Sequence, residues 1–185
     1  MTILIQEGAS SKRRGRLLAL SLGLAIFIAI AGLGSLGFRV NLSSSEPIGL
    51  WRIRSPDRPV QRGDLVFICP PMTAAMREAR NRGYLRPGIC AGDVAPLIKM
   101  VAATSGQFIE IGDNVRIDGE LLAQSRLMAR DASGRPMAPY RGGRIMKGMV
   151  YLHSDFPGSF DSRYFGPLPT ENILGLAQEV WTFAP

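Results

Sequence analysis

Gln107-Phe108-Ile109-Glu110-Ile111-Gly112-Asp113-Asn114-Val115-Arg116-Ile117-Asp118 is the stretch from which the fold is read. Ile109-Glu110-Ile111 alternates with the period of two that sends successive side chains to opposite faces of a strand. Gly112-Asp113-Asn114 is turn chemistry, and Val115-Arg116-Ile117 resumes the alternation, so the segment predicts a hairpin. Asp118-Gly119 then predicts a second turn. Outward from this hairpin the same grammar recurs. Upstream, Leu97 to Ala103 (LIKMVAA) and Asp64 to Cys69 (DLVFIC, entered through Arg62-Gly63) read as compact apolar strands. Downstream, Met149 to His153 and Ile173 to Phe183 are further strands. Only Thr73 to Arg82 reads as a helix, with Thr73 as its N-cap and Gly83 just past its end. Residues 124–147 are rich in Arg, Gly, Pro and Ser and predict a surface excursion. The expected fold class is mainly β, built of coiled antiparallel sheets with the active site along one edge.

The N-terminal segment has a different character. Leu17 to Gly37 carries no charge over 21 residues, about the length that crosses a hydrocarbon core of roughly 30 Å. Lys12, Arg13, Arg14 and Arg16 precede it against a single acid, Glu7, which predicts that residues 1–16 stay cytoplasmic and that everything beyond residue 38 is exported. A cleaved secretory signal is the competing reading, with Ala31 to Gly37 as its cleavage region. The apolar run is longer than a usual signal core, so a transmembrane anchor over 17–38 is expected, followed by a periplasmic domain over 39–185.

The net charge of the 185-residue chain is +7. Beyond residue 38 the arginines are scattered among acids and prolines without a basic helix, which argues against nucleic-acid binding. Cys69 and Cys90 are the only cysteines, and in an exported domain such a pair is expected either to close a disulfide or to remain as two separate thiols. With His153 as the only histidine, a tetrahedral zinc site lacks ligands. No metal or organic cofactor is expected.

Three segments carry side chains suited to nucleophilic chemistry. Asn41-Leu42-Ser43-Ser44-Ser45-Glu46-Pro47-Ile48-Gly49 follows the apolar run. Its serines are either a tether or, because Pro47 and Gly49 predict an ordered bend, an exposed nucleophile close to a bilayer. Lys99 sits in a strand with Leu97 and Val101 on its own face and Ile98 and Met100 on the other. A lysine held there loses hydration, its pKa falls, and the neutral amine accepts a proton from a serine. The alternative is a strand-edge lysine reaching solvent. Gly158-Ser159-Phe160-Asp161-Ser162-Arg163-Tyr164-Phe165-Gly166-Pro167 combines a serine able to orient an amine with an Asp–Arg pair. His153 and Asp155 allow a Ser–His–Asp arrangement as a rival.

Taken together, these segments resemble the type I signal peptidase family, and most closely its conjugative-transfer branch, the TraF peptidases. The resemblance spans the apolar segment, the serine box, the Arg62-Gly63-Asp64-Leu65-Val66-Phe67 strand, the lysine strand and the Ser159-to-Pro167 box. It implies Ser45 as nucleophile and Lys99 as general base, with Ser43 helping the Ser45 N–H to form the oxyanion hole. It further implies Ser159 as hydrogen-bond partner of the lysine, Asp161 and Arg163 as a structural ion pair, and Cys69 and Cys90 as the cysteine pair of that branch. The implied substrate is a pilin precursor, cleaved or cyclised at the periplasmic face of a bacterial inner membrane, with other conjugative pilus components as partners. A general preprotein peptidase and a non-catalytic pilus assembly factor are the alternatives. Met100 stands where general signal peptidases carry Arg after the lysine, and His153-Ser154-Asp155 stands for their Gly-Asp-Asn, which favours the specialised branch. The proline spacing of general signal peptidases points to Ser44 instead of Ser45, so both serines stay open at this stage.

Overall fold

The computed structural model describes residues 7–183, which fall into two compact units divided between Phe38 and Arg39. The first unit is the helix α1 (Glu7–Ser35); part of the expected cytoplasmic segment 1–16 lies outside the described residues. From Gly15 to Ser35 this helix is long and apolar enough to cross a membrane, a property it shares with secretory signals. Leu17, Leu18, Phe27 and Ile30 are all more than half exposed, the side-chain pattern of an apolar segment suited to a membrane.

The second unit is mainly β. Its strands in chain order are β1 (Phe38–Asn41), β2 (Ile48–Arg54), β3 (Leu65–Ile68), β4 (Pro87–Cys90), β5 (Leu97–Thr104), β6 (Phe108–Ile111), β7 (Val115–Ile117), β8 (Glu120–Leu121), β9 (Gly143–Arg144), β10 (Met149–His153), β11 (Leu168–Pro169) and β12 (Ile173–Phe183). A seven-stranded sheet runs β1-β2-β12-β3-β5-β10-β11, and a four-stranded sheet runs β8-β7-β6-β9. The IEI-GDN-VRI hairpin is the β6–β7 pair, with Ile109 opposite Ile117 and Ile111 opposite Val115. Asp118 and Gly119 both take positive φ, 52° and 83°, in the turn leading to β8.

β5 is central and buried on both faces, which is why it reads as a continuous apolar run. Val101 packs in the largest core cluster with Val66, Ile68, Val150 and Leu152, while Ile98 joins Trp51 and Phe67 on the opposite face. Ala102 and Ala103 meet the small sheet through Ile109, Val115 and Ile117. The helix α2 (Ala74–Asn81) is capped by Thr73, whose hydroxyl accepts from the Met76 N–H, and it buries Met76 and Ala79. A disulfide between Cys69 and Cys90 closes the chain around α2, with Cα atoms 5.5 Å apart.

Residues 124–147 are irregular apart from β9, yet they are tied down. The buried Ser125 hydroxyl accepts from the Val115 N–H and donates to the Leu122 carbonyl, and the Tyr140 ring lies 6.5 Å from that of Tyr151. β1, β2, β4, β8, β9 and β11 are additions to the strands expected from sequence. β2 is decided by its partner: Gly49 sits opposite Thr182 of β12 with φ +143°. A Cβ there would lie 2.2 Å from the Trp181 carbonyl oxygen, so only glycine permits this close approach.

Candidate active site

The site is assembled on the loop between β1 and β2. Asn41, the last residue of β1, organises it from within. Its Oδ1 accepts from the Ser43 N–H at 3.0 Å, an Asx turn. Its Nδ2 lies 2.9 Å from the Ser43 carbonyl and 3.0 Å from those of Glu46 and Pro47. The buried Trp51 adds a hydrogen bond from its Nε1 to the Pro47 carbonyl at 2.9 Å. The loop is therefore fixed at both ends, and the three serines are not a tether.

Within this frame Ser43 Oγ lies 3.3 Å from Ser45 Oγ and accepts from the Ser45 N–H at 3.4 Å. Ser44 is exposed and lines a neighbouring cleft. A second clamp comes from the residue after β10: the Ser154 hydroxyl donates to the Ser45 carbonyl, and the Ser154 N–H donates to Asp161 Oδ2 at 3.2 Å. The serine loop is thereby joined to the Asp161 cluster.

Lys99 comes from β5, 3% exposed. It sits opposite Val66 of β3 and shares its face with Val101, a member of the large core, and Leu97, which packs against that core. Burial among these groups strips hydration from the ammonium and pushes its pKa down to about 8, although the carboxylates of Asp161 and Glu46 pull the other way. Glu46, next to Ser45, is itself pushed up to about 7 by burial, with Lys99 opposing that rise. The amine, the serine loop and two carboxylates thus form one electrostatic unit.

Asp161 and Arg163 form the rigid floor of this unit. Both side chains are fully buried and paired through two contacts of 2.8 Å. Arg163 also donates to the carbonyls of Arg126 and Ser159 at 2.9 and 3.2 Å, so each of its three nitrogens is engaged. Burial pushes the Asp161 carboxyl up, but His153 and Arg163 outweigh it and hold the group below the ordinary range. His153 is buried in this same cluster, with Nδ1 3.4 Å from Asp161 Oδ2 and Nε2 3.2 Å from the Ala123 carbonyl. Asp155 lies farther from its ring, at 3.6 Å. The ring's one hydrogen bond is therefore that of Nε2 to the Ala123 carbonyl, Nδ1 faces Asp161 without a hydrogen bond, and none joins the imidazole to Ser45.

Ser159 is 2% exposed and its hydroxyl has no hydrogen-bond partner. Among the described residues no hydrogen bond connects Lys99 to Ser159 or to Ser45. A buried, unpartnered hydroxyl is unusual. Asn41, Glu46 and Ser154 are the residues to which sequence reading gave no role. The Asn two residues before a serine is an Asx-turn signature that was available; the reach of Ser154 to Ser45 spans 109 positions and had no local signal. Among the described residues no group of three or more His, Cys, Asp or Glu side chains is arranged to hold a metal.

The signal peptidase, peptidase S26 family matches residues 12–182. The chain is 54% identical to a probable conjugal transfer protein TraF of Sinorhizobium fredii, with 100% of both chains covered. It is 36% identical to a plasmid transfer protein TraF of Escherichia coli, covering 93% of this chain and 98% of that one. A solved signal peptidase I from Enterococcus faecalis is similar at 17% identity and a TM-score of 0.40, covering 64% of this chain and 97% of that one.

Proposed function

The chain belongs to the signal peptidase S26 family, in its TraF-type branch, and we propose that it is a membrane-associated serine endopeptidase with Ser45 as nucleophile and Lys99 as general base. The observation that carries the reading is the union of a clamped serine loop and a buried amine of lowered pKa through Ser154, Asp161 and Glu46. In the neutral form the Lys99 amine takes the Ser45 proton, and Ser45 Oγ attacks a peptide carbonyl. The developing oxyanion is held by the Ser45 N–H, which exchanges its 3.4 Å bond to Ser43 Oγ for the substrate oxygen, and by the Ser43 hydroxyl; one such donor is worth about 3 to 4 kcal/mol of barrier. The protonated Lys99 then returns its proton to the leaving amine, and the acyl-enzyme is resolved by water or by a second amine.

The unpartnered Ser159 hydroxyl is suited to receive the Lys99 amine as it moves between these steps. Asp161 and Arg163 keep the floor rigid. The resemblance to the TraF peptidases supports a pilin precursor as substrate, released as a shortened chain or, if its own N-terminal amine attacks, as a ring. With α1 as anchor, the catalytic unit lies on the periplasmic face of the inner membrane, within reach of other pilus assembly components. The relatives favour this over a general preprotein peptidase.

The test is to express Ser45→Ala, Lys99→Ala and Ser44→Ala, each with the pilin precursor of the same transfer system, and to weigh the product by mass spectrometry. Unprocessed precursor is expected from the first two and processed pilin from the third. Full processing by Ser45→Ala overturns the assignment of the nucleophile, and full processing by both Ser45→Ala and Lys99→Ala leaves the assembly-factor reading.

A further inference from the structure

Beside the serine loop opens a cavity of about 710 Å³ lined by Ser43, Ser44, Arg80, Tyr84, Arg86 and Asp93 among others. The mechanism above makes no use of it. Three observations bear on what it holds.

The first is position. Ser43 contributes to its wall and also lies 3.3 Å from Ser45 Oγ, so the space opens directly beside the proposed nucleophile.

The second is rigidity. The wall opposite the serines is the segment between Cys69 and Cys90, closed by their disulfide. The Tyr84 hydroxyl donates to Asp131 Oδ2 at 2.5 Å and its ring lies 5.1 Å from that of Phe160. Arg82 donates to the Pro136 carbonyl at 2.8 Å, and Arg135 donates back to the Arg82 carbonyl at 3.1 Å. A wall held in this way is pre-organised and loses little entropy when a ligand arrives.

The third is charge. Arg80 and Arg86 give the lining two guanidinium groups against one carboxylate, Asp93. Arg80 already carries that carboxylate at 3.4 Å, and Asp93 is 89% exposed, so it is an easily displaced internal occupant. Arg86 is exposed and makes no ion pair among the described residues. Guanidinium groups in a shaped cleft favour a carboxylate, which accepts two parallel hydrogen bonds, and disfavour an ammonium.

We propose that this cleft is the substrate subsite that selects a carboxylate-bearing residue close to the scissile bond, with Arg86 and Arg80 as its specificity-determining side chains. The proposal rests on the peptidase reading above. The substrate class is thereby an exported peptide segment with an Asp, a Glu or a free C-terminal carboxylate within a few residues of the cleaved bond.

The experiment uses the full-length protein in detergent micelles with the purified pilin precursor and with precursor variants in which each acidic residue flanking the cleavage site is changed to its amide or to Lys. For wild-type enzyme, one such amide change is expected to lower kcat/KM at least tenfold, mainly through KM. Arg86→Glu is expected to lose at least tenfold on the native precursor, to cleave the amide variant within about twofold of wild type, and to prefer the Lys variant. Arg80→Gln reports the same preference more weakly, and far-ultraviolet circular dichroism of both variants checks that they fold. If wild type and Arg86→Glu treat the acidic, amide and Lys substrates alike, the subsite assignment is overturned while the peptidase reading stands. If wild type cleaves none of them, the peptidase reading falls and takes the subsite with it.

Discussion

Replacing Lys99 by Met should make the protein inactive and more stable at once. The fall of the Lys99 pKa from 10.5 to about 8 corresponds to about 3 kcal/mol of unfavourable free energy for keeping a charged amine in the folded chain. That figure already contains the attraction of Asp161 and Glu46, which is smaller than the loss of hydration. The folded-state pKa is depressed, so between pH 8 and 10.5 the unfolded chain binds more protons than the folded one, and stability rises with pH through that window. Below about pH 8 both states are protonated and the penalty is complete. Met has a similar volume and no charge, so it removes the penalty while filling the space among Val66, Leu97 and Val101. The variant is expected to gain up to ~3 kcal/mol at pH 7, with the difference closing as the pH approaches 10.5. Urea denaturation of the full-length protein in micelles, followed by the fluorescence of the buried Trp51 at pH 7, 8.5 and 10, measures both quantities. A variant less stable than wild type at pH 7 would refute the reasoning, because Lys99 would then be a net ion-pair partner of Asp161. A gain that does not change with pH would refute it as well.

The remaining predictions concern the surroundings of Ser45. The acid limb of the kcat/KM profile should lie near pH 8, where the Lys99 amine loses its proton; Glu46→Gln removes a charge that favours the ammonium and should move that limb to lower pH, and an unchanged or raised limb counts against it. Asn41→Ala frees the three carbonyls it binds and should lower kcat by about 10- to 100-fold through misplacement of Ser45, with a thermal melt close to wild type. Arg163→Met leaves Asp161 buried without its partner and should cost about 3 to 5 kcal/mol; the Asp161→Asn, Arg163→Met double variant should recover part of that in the same denaturation assay.

Local pattern made the β6–β7 hairpin, β10, β12 and α2 legible, because each is decided by its own periodicity and caps. β5 was equally clear as a strand, yet its sequence gives no sign of which side chains lie across from Lys99. Val66 and the Asp161 cluster arrive from 33 residues upstream and 62 downstream, respectively, and only the sheet order brings them there. β2 was missed because its identity is tertiary: Gly49 is required by Trp181 and Thr182, and Trp51 by Phe67 and Ile98. The serine box was legible as an ordered bend from Pro47 and Gly49, whereas the clamp that holds it comes from Asn41 and Ser154. His153 was offered by sequence as a rival base; Asp161, eight residues on, claims its ring.

The order of the large sheet carries a consequence for the timing of activity. The serine loop leads into β2, and Lys99 lies on β5, but β2 is joined to β3 and β5 only through β12, the last of these strands to be synthesised. Without β12, no strand joins β1 and β2 to β3 and β5, and the serine and the amine stand on separate parts of the sheet. Assembly waits for residues 173–183, whose eleven-residue strand spans β2 on one edge and β3 on the other. Such long-range closure is slow compared with local folding. Disrupting β12 is therefore expected to part the Ser45 loop from the Lys99 strand while leaving the β3–β5–β10 pairing in place.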